Sequence, residues 1–252
     1  MRVVMRVRDL QPTGRFALPA LVALLGSCSP RLLAAQVELE PRDRRFWIAG
    51  IALTATAAVF DERVRELAAR NQTASLHQLA LDVDPFGRAH YLVPSLVAGA
   101  VIPRLLGRTA LSNAIVRVGL GYAVADGIES VLKSAVGRHR PDSTGRPGQF
   151  RPFHIGGPWT SFPSAHTTHA IALATGLAIE AHRPWVSALA FGIAGTVAVQ
   201  RVYTQSHWAS DVVGSSVLAI AASATTVRWL QRGGLGGHVS VSPSSAAYSL
   251  AF

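Results

Sequence analysis

The feature that most constrains this chain is a series of six apolar segments, each 15 to 22 residues long and separated by polar loops. Alanine, leucine, valine and glycine dominate these segments, and strand-like alternation is scarce, so each is predicted to be a helix. The six segments are residues 46–60, 91–106, 111–132, 165–181, 185–199 and 212–230. A chain built this way is predicted to fold as an all-α bundle of six helices.

The length of these segments leaves two environments open for the bundle. Several have only 15 to 17 residues, whereas about 20 apolar residues cross the hydrocarbon core of a bilayer. Charged residues such as Arg104, Arg117 and Glu180 interrupt or border them. The helices are therefore either short or tilted membrane helices or the buried helices of a water-soluble bundle. The strongly apolar last three segments favour insertion into a membrane.

Composition excludes several classes of protein. Of the 252 residues, 49% are hydrophobic and 15% are charged, which is the opposite of what disordered chains require. The single cysteine, Cys28, excludes a disulfide framework and a cysteine-based zinc site. The net charge of the chain is +10. The chain has 23 arginines, which are scattered along it, and a single lysine, Lys133. A scattered distribution without a basic run argues against nucleic acid as a partner.

The N-terminal 35 residues have the pattern of an export signal. Four arginines precede a short apolar run at residues 16–26, which is too short to span a bilayer comfortably. Cleavage after Ala35 and lipidation at Cys28 are both open, and a retained anchor is the third possibility. Cleavage by either route would place the mature chain outside the cytoplasm. Beyond the six segments, residues 61–84 are expected to form an amphipathic helix in a loop, and residues 233–252 a Gly/Ser-rich tail.

Three separated clusters of polar residues fall at predicted helix ends. Residues 133–141 end the third helix, residues 161–166 open the fourth, and residues 201–211 connect the fifth to the sixth. If successive helices run up and down, all of these ends lie on the same side of the bundle. The sequence therefore predicts that the three clusters meet.

The first chemical signal in these clusters is a set of groups suited to phosphate. Lys133, Arg140 and Arg201 are three cations, and a phosphoryl group carries about two negative charges near neutral pH. The planar guanidinium of arginine suits two-point contact with phosphate oxygens, while lysine acts as a point charge. Ser164 and Ala165 lie where the fourth helix begins, so free backbone N–H groups and the helix dipole would also favour an anion there.

The second signal is a pair of histidines with a carboxylate. His207 and Asp211 are four residues apart, so they would share one face if the last helix begins near His207. A carboxylate there can hold one imidazole N–H and leave the other nitrogen nucleophilic. His166 is then the natural general acid for the leaving oxygen.

The order and spacing of these residues resemble the type 2 phosphatidic acid phosphatase (PAP2) superfamily, which includes lipid phosphatases, bacterial acid phosphatases and vanadium haloperoxidases. Its pattern, Lys-x6-Arg-Pro, Pro-Ser-Gly-His and Ser-Arg-x5-His-x3-Asp, is matched across residues 132–214. Ala165 replaces the glycine of the pattern and Gln200 replaces the serine. A backbone N–H is what the first position supplies, so function is expected to survive both changes.

The resemblance implies a six-helix PAP2-type bundle at residues 36–232 and a role for each matched residue. His207 would form a phosphohistidine, Asp211 would orient it, and His166 would protonate the leaving group, without a metal or another cofactor. The phosphate-binding residues would be Lys133, Arg140, Ser164, Ala165 and Arg201.

Other polar residues near the motifs are expected to have structural or peripheral roles. His169 is expected to serve in packing or in support of the site rather than as a metal ligand. Asp126 and Glu129 are expected to pair with a nearby arginine. Arg138 and His139 occupy variable positions of the first motif and are interpreted as contacts at the rim of the site.

These observations together predict a phosphatase of a lipid phosphate or diphosphate, because apolar helices beside a phosphate site suit a substrate with an apolar tail. Vanadate is expected to inhibit such an enzyme. Phosphatidic acid, phosphatidylglycerol phosphate, an isoprenoid diphosphate and a lipid A phosphate are all open as substrates. One rival is a haloperoxidase with vanadate as cofactor, and another is a catalytically silent envelope protein that binds anionic lipids.

The predicted location is the bacterial cell envelope, in contact with membrane lipids. The site would face the periplasm from the inner membrane if residues 46–60 do not cross the bilayer, and would face the cytoplasm if they do.

Overall fold

In the computed structural model, the described residues are 41, 43–141, 145–154, 156–233, 237–242 and 245–250. The predicted signal at 1–35, including Cys28, lies outside them. Seven α-helices lie within them, and the predicted all-α class is confirmed. The helices are α1 (Arg44–Arg70), α2 (Ala74–Val83), α3 (Ala89–Leu105), α4 (Thr109–Val136), α5 (Ala165–Ala181), α6 (Pro184–Tyr203) and α7 (Ala209–Gln231).

Shorter elements complete the fold. Two 3-10 helices occur, Asp84–Gly87 between α2 and α3 and Gly157–Trp159 before α5. The segment interpreted as a Gly/Ser-rich tail contains an antiparallel hairpin of β1 (Gly237–Ser242) and β2 (Ser245–Leu250). The six predicted helices of the bundle therefore correspond to α1 and α3 to α7, and α2 lies within the amphipathic helix predicted at residues 61–84.

The predicted end of the first helix at residue 60 is wrong, because α1 continues to Arg70. Asp61, predicted to begin a separate amphipathic helix, is 1% exposed and lies inside α1. Its carboxylate is 2.7 Å from the Arg138 guanidinium. The cationic partner compensates the cost of burying the carboxylate, so Asp61 does not have to lie in a solvent-exposed loop. The pairing cannot be recognised in the local sequence, because Arg138 lies far along the chain.

Helix α5 lies at the centre of the bundle and packs against α4, α6 and α7. The core between them consists mainly of small side chains, including those of Ala172, Ala194 and Ala219. At Gly176 an added Cβ would lie 3.0 Å from the Val118 side chain, so α4 and α5 are already in close contact there. Small residues allow this approach of helix backbones, and the result is a tightly closed bundle.

Charges within the apolar helices are compensated by partners on the same or a neighbouring helix. Arg117 of α4 makes a two-point contact with Glu180 of α5, at 2.7 Å for each oxygen. Asp126 and Glu129, expected to pair with an arginine, instead lie 2.7 Å from His169 and 2.6 Å from Lys133. The arginine partner was therefore a wrong prediction, although pairing itself is present.

The outer surface of the bundle is apolar on several helices. Ile51 and Val59 of α1, Leu105 of α3, Val131 of α4 and Leu189 of α6 are all exposed. Within the described part of the chain, α6 and α7 are long and apolar enough to cross a membrane. Both observations fit the predicted membrane association, which stays a prediction.

Candidate active site

The structure brings the three predicted clusters to one end of the bundle. The end of α4, the start of α5 and the α6–α7 connection meet there. The carbonyl of Ser161, before α5, lies 2.6 Å from a ring nitrogen of His207. Ser164 N–H donates to Ser215 Oγ of α7 at 2.7 Å, and Gln72, just after α1, donates to the carbonyl of Tyr203 at 2.9 Å.

His207 is held in one orientation in the α6–α7 connection. Its side chain is 2% exposed. Nδ1 lies 2.6 Å from the Ser161 carbonyl oxygen, which can only accept, so Nδ1 is assigned the proton and Nε2 keeps its lone pair. Burial lowers the pKa of His207 well below its ordinary value, and the positive charges of Arg140, Arg201 and Lys133 lower it further. The imidazole is therefore neutral and nucleophilic at neutral pH.

Asp211 does not hold His207 directly, contrary to the expected geometry. Its Oδ2 is 3.9 Å from His207 Nδ1 and accepts from Ser161 Oγ at 2.5 Å and from the Trp208 N–H at 2.9 Å. Helix α7 begins at Ala209, after His207, so the two residues do not share a helical face. Asp211 instead fixes Ser161, and Ser161 fixes the imidazole.

The three predicted phosphate-binding cations surround His207 but have different partners. Arg140 donates to Thr160 Oγ1 at 3.2 Å. Lys133 Nζ is 2.6 Å from Glu129. Arg201 Nη1 is 3.0 Å from Asp84, and its Nε is buried without a hydrogen bond within the described residues. Two of the three cations therefore face a carboxylate.

The start of α5 has the expected form. Ser164 is fully buried and is the N-cap, with Thr167 Oγ1 donating to Ser164 Oγ at 3.0 Å. Ala165 is the first helical residue, so its N–H belongs to the set without a partner inside the helix. Its helical backbone also accommodates the methyl group of the alanine that replaces the glycine of the family pattern.

His166, the predicted general acid, lies one residue further along α5 and is less enclosed than His207. Its side chain is 24% exposed. Its Nε2 makes no hydrogen bond to the described residues and lies 3.4 Å from Asp84 Oδ1. An imidazole nitrogen without a protein hydrogen-bond partner can hydrogen-bond a substrate oxygen.

Part of the chain is similar in sequence to known proteins. Residues 114–234 match the family model of the PAP2 superfamily. This part of the chain belongs to the PAP2 superfamily. A lipid A 1-phosphatase from Porphyromonas gingivalis is 32% identical over 108 residues, which are 42% of this chain and 21% of that protein. The chain thus spans about a fifth of the length of this curated relative.

Two solved structures share the PAP2 architecture. A transmembrane PAP2-type phosphatidylglycerolphosphate phosphatase from Bacillus subtilis aligns with a TM-score of 0.59 at 22% identity, covering 75% of this chain and 95% of that one. LpxE from Aquifex aeolicus aligns with a TM-score of 0.50 at 17% identity, covering 67% and 95%. The predicted PAP2-type bundle is thereby confirmed as the fold.

Two charged residues lie beside the candidate site although they were not expected there from the sequence. Arg138, interpreted as a rim contact, is 6% exposed, and its guanidinium lies 2.5 Å from Asp211 and 2.7 Å from Asp61. Asp84, placed at the end of an amphipathic helix, faces Arg201. Neither contact has a signal in local spacing, because each partner is more than 70 residues away.

His169, next to the candidate site on α5, has a protein partner at each ring nitrogen. Its Nε2 is 2.7 Å from Asp126 and its Nδ1 is 2.9 Å from the carbonyl of Gly87. Within the described residues, no group of three or more His, Cys, Asp or Glu is arranged to hold a metal ion.

Proposed function

We propose that this chain is a phosphatase of a membrane lipid phosphate that works through a phosphohistidine on His207. The observation that carries the proposal is the state of His207: neutral, buried, fixed by Ser161 at Nδ1 and surrounded by three cations. This combination suits a nitrogen nucleophile for a phosphorus atom whose oxygens need positive neighbours.

The proposed first step transfers the phosphoryl group to the enzyme. Lys133, Arg140 and Arg201, with the Ala165 N–H, bind the non-bridging oxygens. The lone pair of His207 Nε2 attacks phosphorus as the bond to the leaving oxygen breaks. His166 donates a proton to that oxygen, so the product leaves as a neutral alcohol.

The proposed second step regenerates the enzyme. His166, now neutral, takes a proton from water, and the resulting hydroxide attacks phosphorus as the P–N bond breaks. Phosphate leaves and both histidines return to their starting states. The three cations and the helix start supply the positive charge that the reaction needs, so we propose no metal or cofactor, with vanadate as an inhibitor.

A lipid is favoured as the substrate because apolar side chains cover the outside of the bundle whose end carries the site. The related proteins are named for lipid A and phosphatidylglycerolphosphate. A panel of these two lipids with phosphatidic acid and an isoprenoid diphosphate, assayed for released phosphate, tests the class. Release from none of them would contradict the proposal.

Assays on the same protein preparation distinguish a phosphatase from the haloperoxidase alternative. Phosphate release that vanadate blocks supports the phosphatase. Halide oxidation that appears only when vanadate is added would support the rival. Binding of anionic lipid vesicles without either activity would support a silent lipid-binding protein.

We further propose an envelope location in which the site faces the periplasm. The export-signal pattern of residues 1–35 supports this orientation, because cleavage would place the mature chain outside the cytoplasm. Because α1 ends on the side of the site, a periplasmic site and a translocated N-terminus are compatible only if α1 does not cross the bilayer.

A Gly148→Cys variant tests this orientation. Gly148 is exposed, and an added Cβ there meets nothing within 4 Å, so the substitution leaves the fold unchanged. Labelling of intact cells by a membrane-impermeant maleimide is expected. Labelling only after the cells are lysed would contradict a periplasmic site. Cys28→Ser in the same chain removes the native thiol from the assay.

A further inference from the structure

The 3-10 turn Asp84–Gly87 is an additional wall of the site, outside the three sequence motifs. Asp84 opens the turn and is buried. Its Oδ1 is 3.0 Å from Arg201 Nη1, 3.3 Å from Gln200 Nε2 and 3.4 Å from His166 Nε2. Its Oδ2 accepts from Arg88. One carboxylate thus contacts both a proposed phosphate-binding cation and the proposed general acid.

The turn is fixed against α5 at its other end. An added Cβ at Gly87 would lie 2.8 Å from Cβ and Cδ2 of His166, so the backbone of the turn lies directly against the imidazole. The Gly87 carbonyl lies 2.9 Å from Nδ1 of His169, which Asp126 contacts on its other nitrogen. The position of the Asp84 carboxylate relative to His166 is therefore set from both ends of the turn.

The chemistry of His166 explains why a carboxylate is needed there. A general acid must carry its proton before the leaving oxygen departs, but burial and the positive charges of Arg201 and Arg88 lower the pKa of His166 to about 4. The negative charge of Asp84 opposes this lowering, and the negative charge of a bound phosphoryl group would act in the same direction. Gln200, in place of the serine of the family pattern, adds a donor that holds the carboxylate.

We propose that Asp84 is a positioning residue that favours the proton-donating form of His166. The proposal rests on the proposed function, because it gives Asp84 no role apart from its effect on that histidine. Asp84 carries no proton itself: His166 loses a proton to the leaving oxygen and regains one from water, and the carboxylate favours the protonated imidazole at both ends of that cycle.

The test is the Asp84→Asn variant of the full chain, assayed with phenyl phosphate and with 4-nitrophenyl phosphate. Phenolate is a strong base that needs a proton to leave, whereas 4-nitrophenolate leaves without one. General acid–base catalysis contributes about 10² to 10⁴-fold, so we expect kcat to fall about 10-fold or more for phenyl phosphate and less than about 3-fold for 4-nitrophenyl phosphate. Inhibition by inorganic phosphate is expected to be unchanged or tighter, since Arg201 loses a competing anion.

A purely structural role gives a different result. Equal losses on both substrates, or weaker inhibition by phosphate, would overturn the proposal. Asp82→Asn is the matched control, because Asp82 is an exposed carboxylate two residues away, and it should resemble the parent. Gly87→Ala is an independent second variant: it displaces the imidazole without changing charge, and it should reproduce the substrate-dependent loss.

His166→Ala separates failure of this inference from failure of the proposed function. If release of the phenol in the first turnover of His166→Ala slows as much for 4-nitrophenyl phosphate as for phenyl phosphate, His166 is not the general acid and both proposals fail. If only His166→Ala discriminates between the substrates and Asp84→Asn does not, the role of Asp84 alone is wrong. In the double variant, Asp84→Asn should add no further discrimination.

Discussion

The two histidines of the site are held in opposite ways. The side chain of His207 is 2% exposed and its Nδ1 is hydrogen-bonded, whereas the side chain of His166 is 24% exposed and its Nε2 has no hydrogen bond within the described residues. A nucleophile benefits from one fixed, neutral orientation. A proton donor must exchange its proton in each cycle, so it needs a nitrogen without a protein hydrogen bond and a nearby negative charge. These surroundings suit the two proposed roles, nucleophile for His207 and proton donor for His166.

The largest expected effect is that of removing the nucleophile. His207→Ala should lower kcat by about 10⁴-fold or more, because without Nε2 no phosphohistidine can form. Release of phosphate from a lipid phosphate measures this. Turnover equal to that of the parent would refute the mechanism and remove the basis of the comparison.

Removing the other histidine should leave a different signature. His166→Ala is expected to lower turnover of a lipid phosphate about 10² to 10⁴-fold but still to accept a phosphoryl group from 4-nitrophenyl phosphate. Acid-labile, alkali-stable labelling of the protein should then accumulate, since hydrolysis of the intermediate lacks its base. Absence of label in this variant, with label present in the parent, would mean that His166 does not act in the second step.

The rigid surroundings of His207 predict a stability effect at Arg138. Arg138→Gln leaves the buried carboxylates of Asp61 and Asp211 without their shared cation, and breaking such a buried pair costs about 3–5 kcal/mol. Denaturant unfolding in detergent measures the loss. Arg146→Gln, at an exposed arginine in the same loop, is the control and should be close to neutral.

Lys133 tests whether the cations around His207 are interchangeable. Lys133→Arg keeps the charge but replaces a compact ammonium, 2.6 Å from Glu129, with a planar fork, and we expect turnover to fall about 3- to 10-fold. Steady-state kinetics on one lipid phosphate measure it. Unchanged kinetics would mean that the single lysine of the chain has no special role.

The smallest effect concerns pH. Because the pKa of His207 is lowered, its neutral form should persist as the pH falls below about 6.5, the ordinary value for histidine. An acid limb of kcat/KM attributable to His207 should therefore lie well below that pH. The same shift makes the folded protein lose stability as pH falls below about 6.5, since the unfolded chain then binds the proton more readily. An acid limb of kcat/KM centred near the ordinary pKa of histidine would contradict a lowered pKa of His207.

The sequence could predict most of the fold and the list of candidate residues, but not how those residues are connected. The six apolar segments and the three motifs lie within continuous stretches of chain, where local pattern is informative. The links Arg138–Asp61, Arg201–Asp84 and Ser161–His207 each join residues 46 to 117 positions apart. These partners are determined by packing, so from the sequence Asp61 and Asp84 could only be placed at the two ends of a predicted amphipathic helix.

The small side chains at the centre of the bundle have a consequence for recognition. Among the described residues, helices packed through Ala172, Ala194 and Ala219 leave no interior chamber between them that could enclose a lipid, and they cannot spread apart without losing that contact. The body of any lipid must stay outside, with only its headgroup reaching the catalytic end. Discrimination between lipids is therefore a task for the segments around the entrance, such as residues 145–154. Exchanging that segment between family members would change substrate choice while leaving the catalytic apparatus intact.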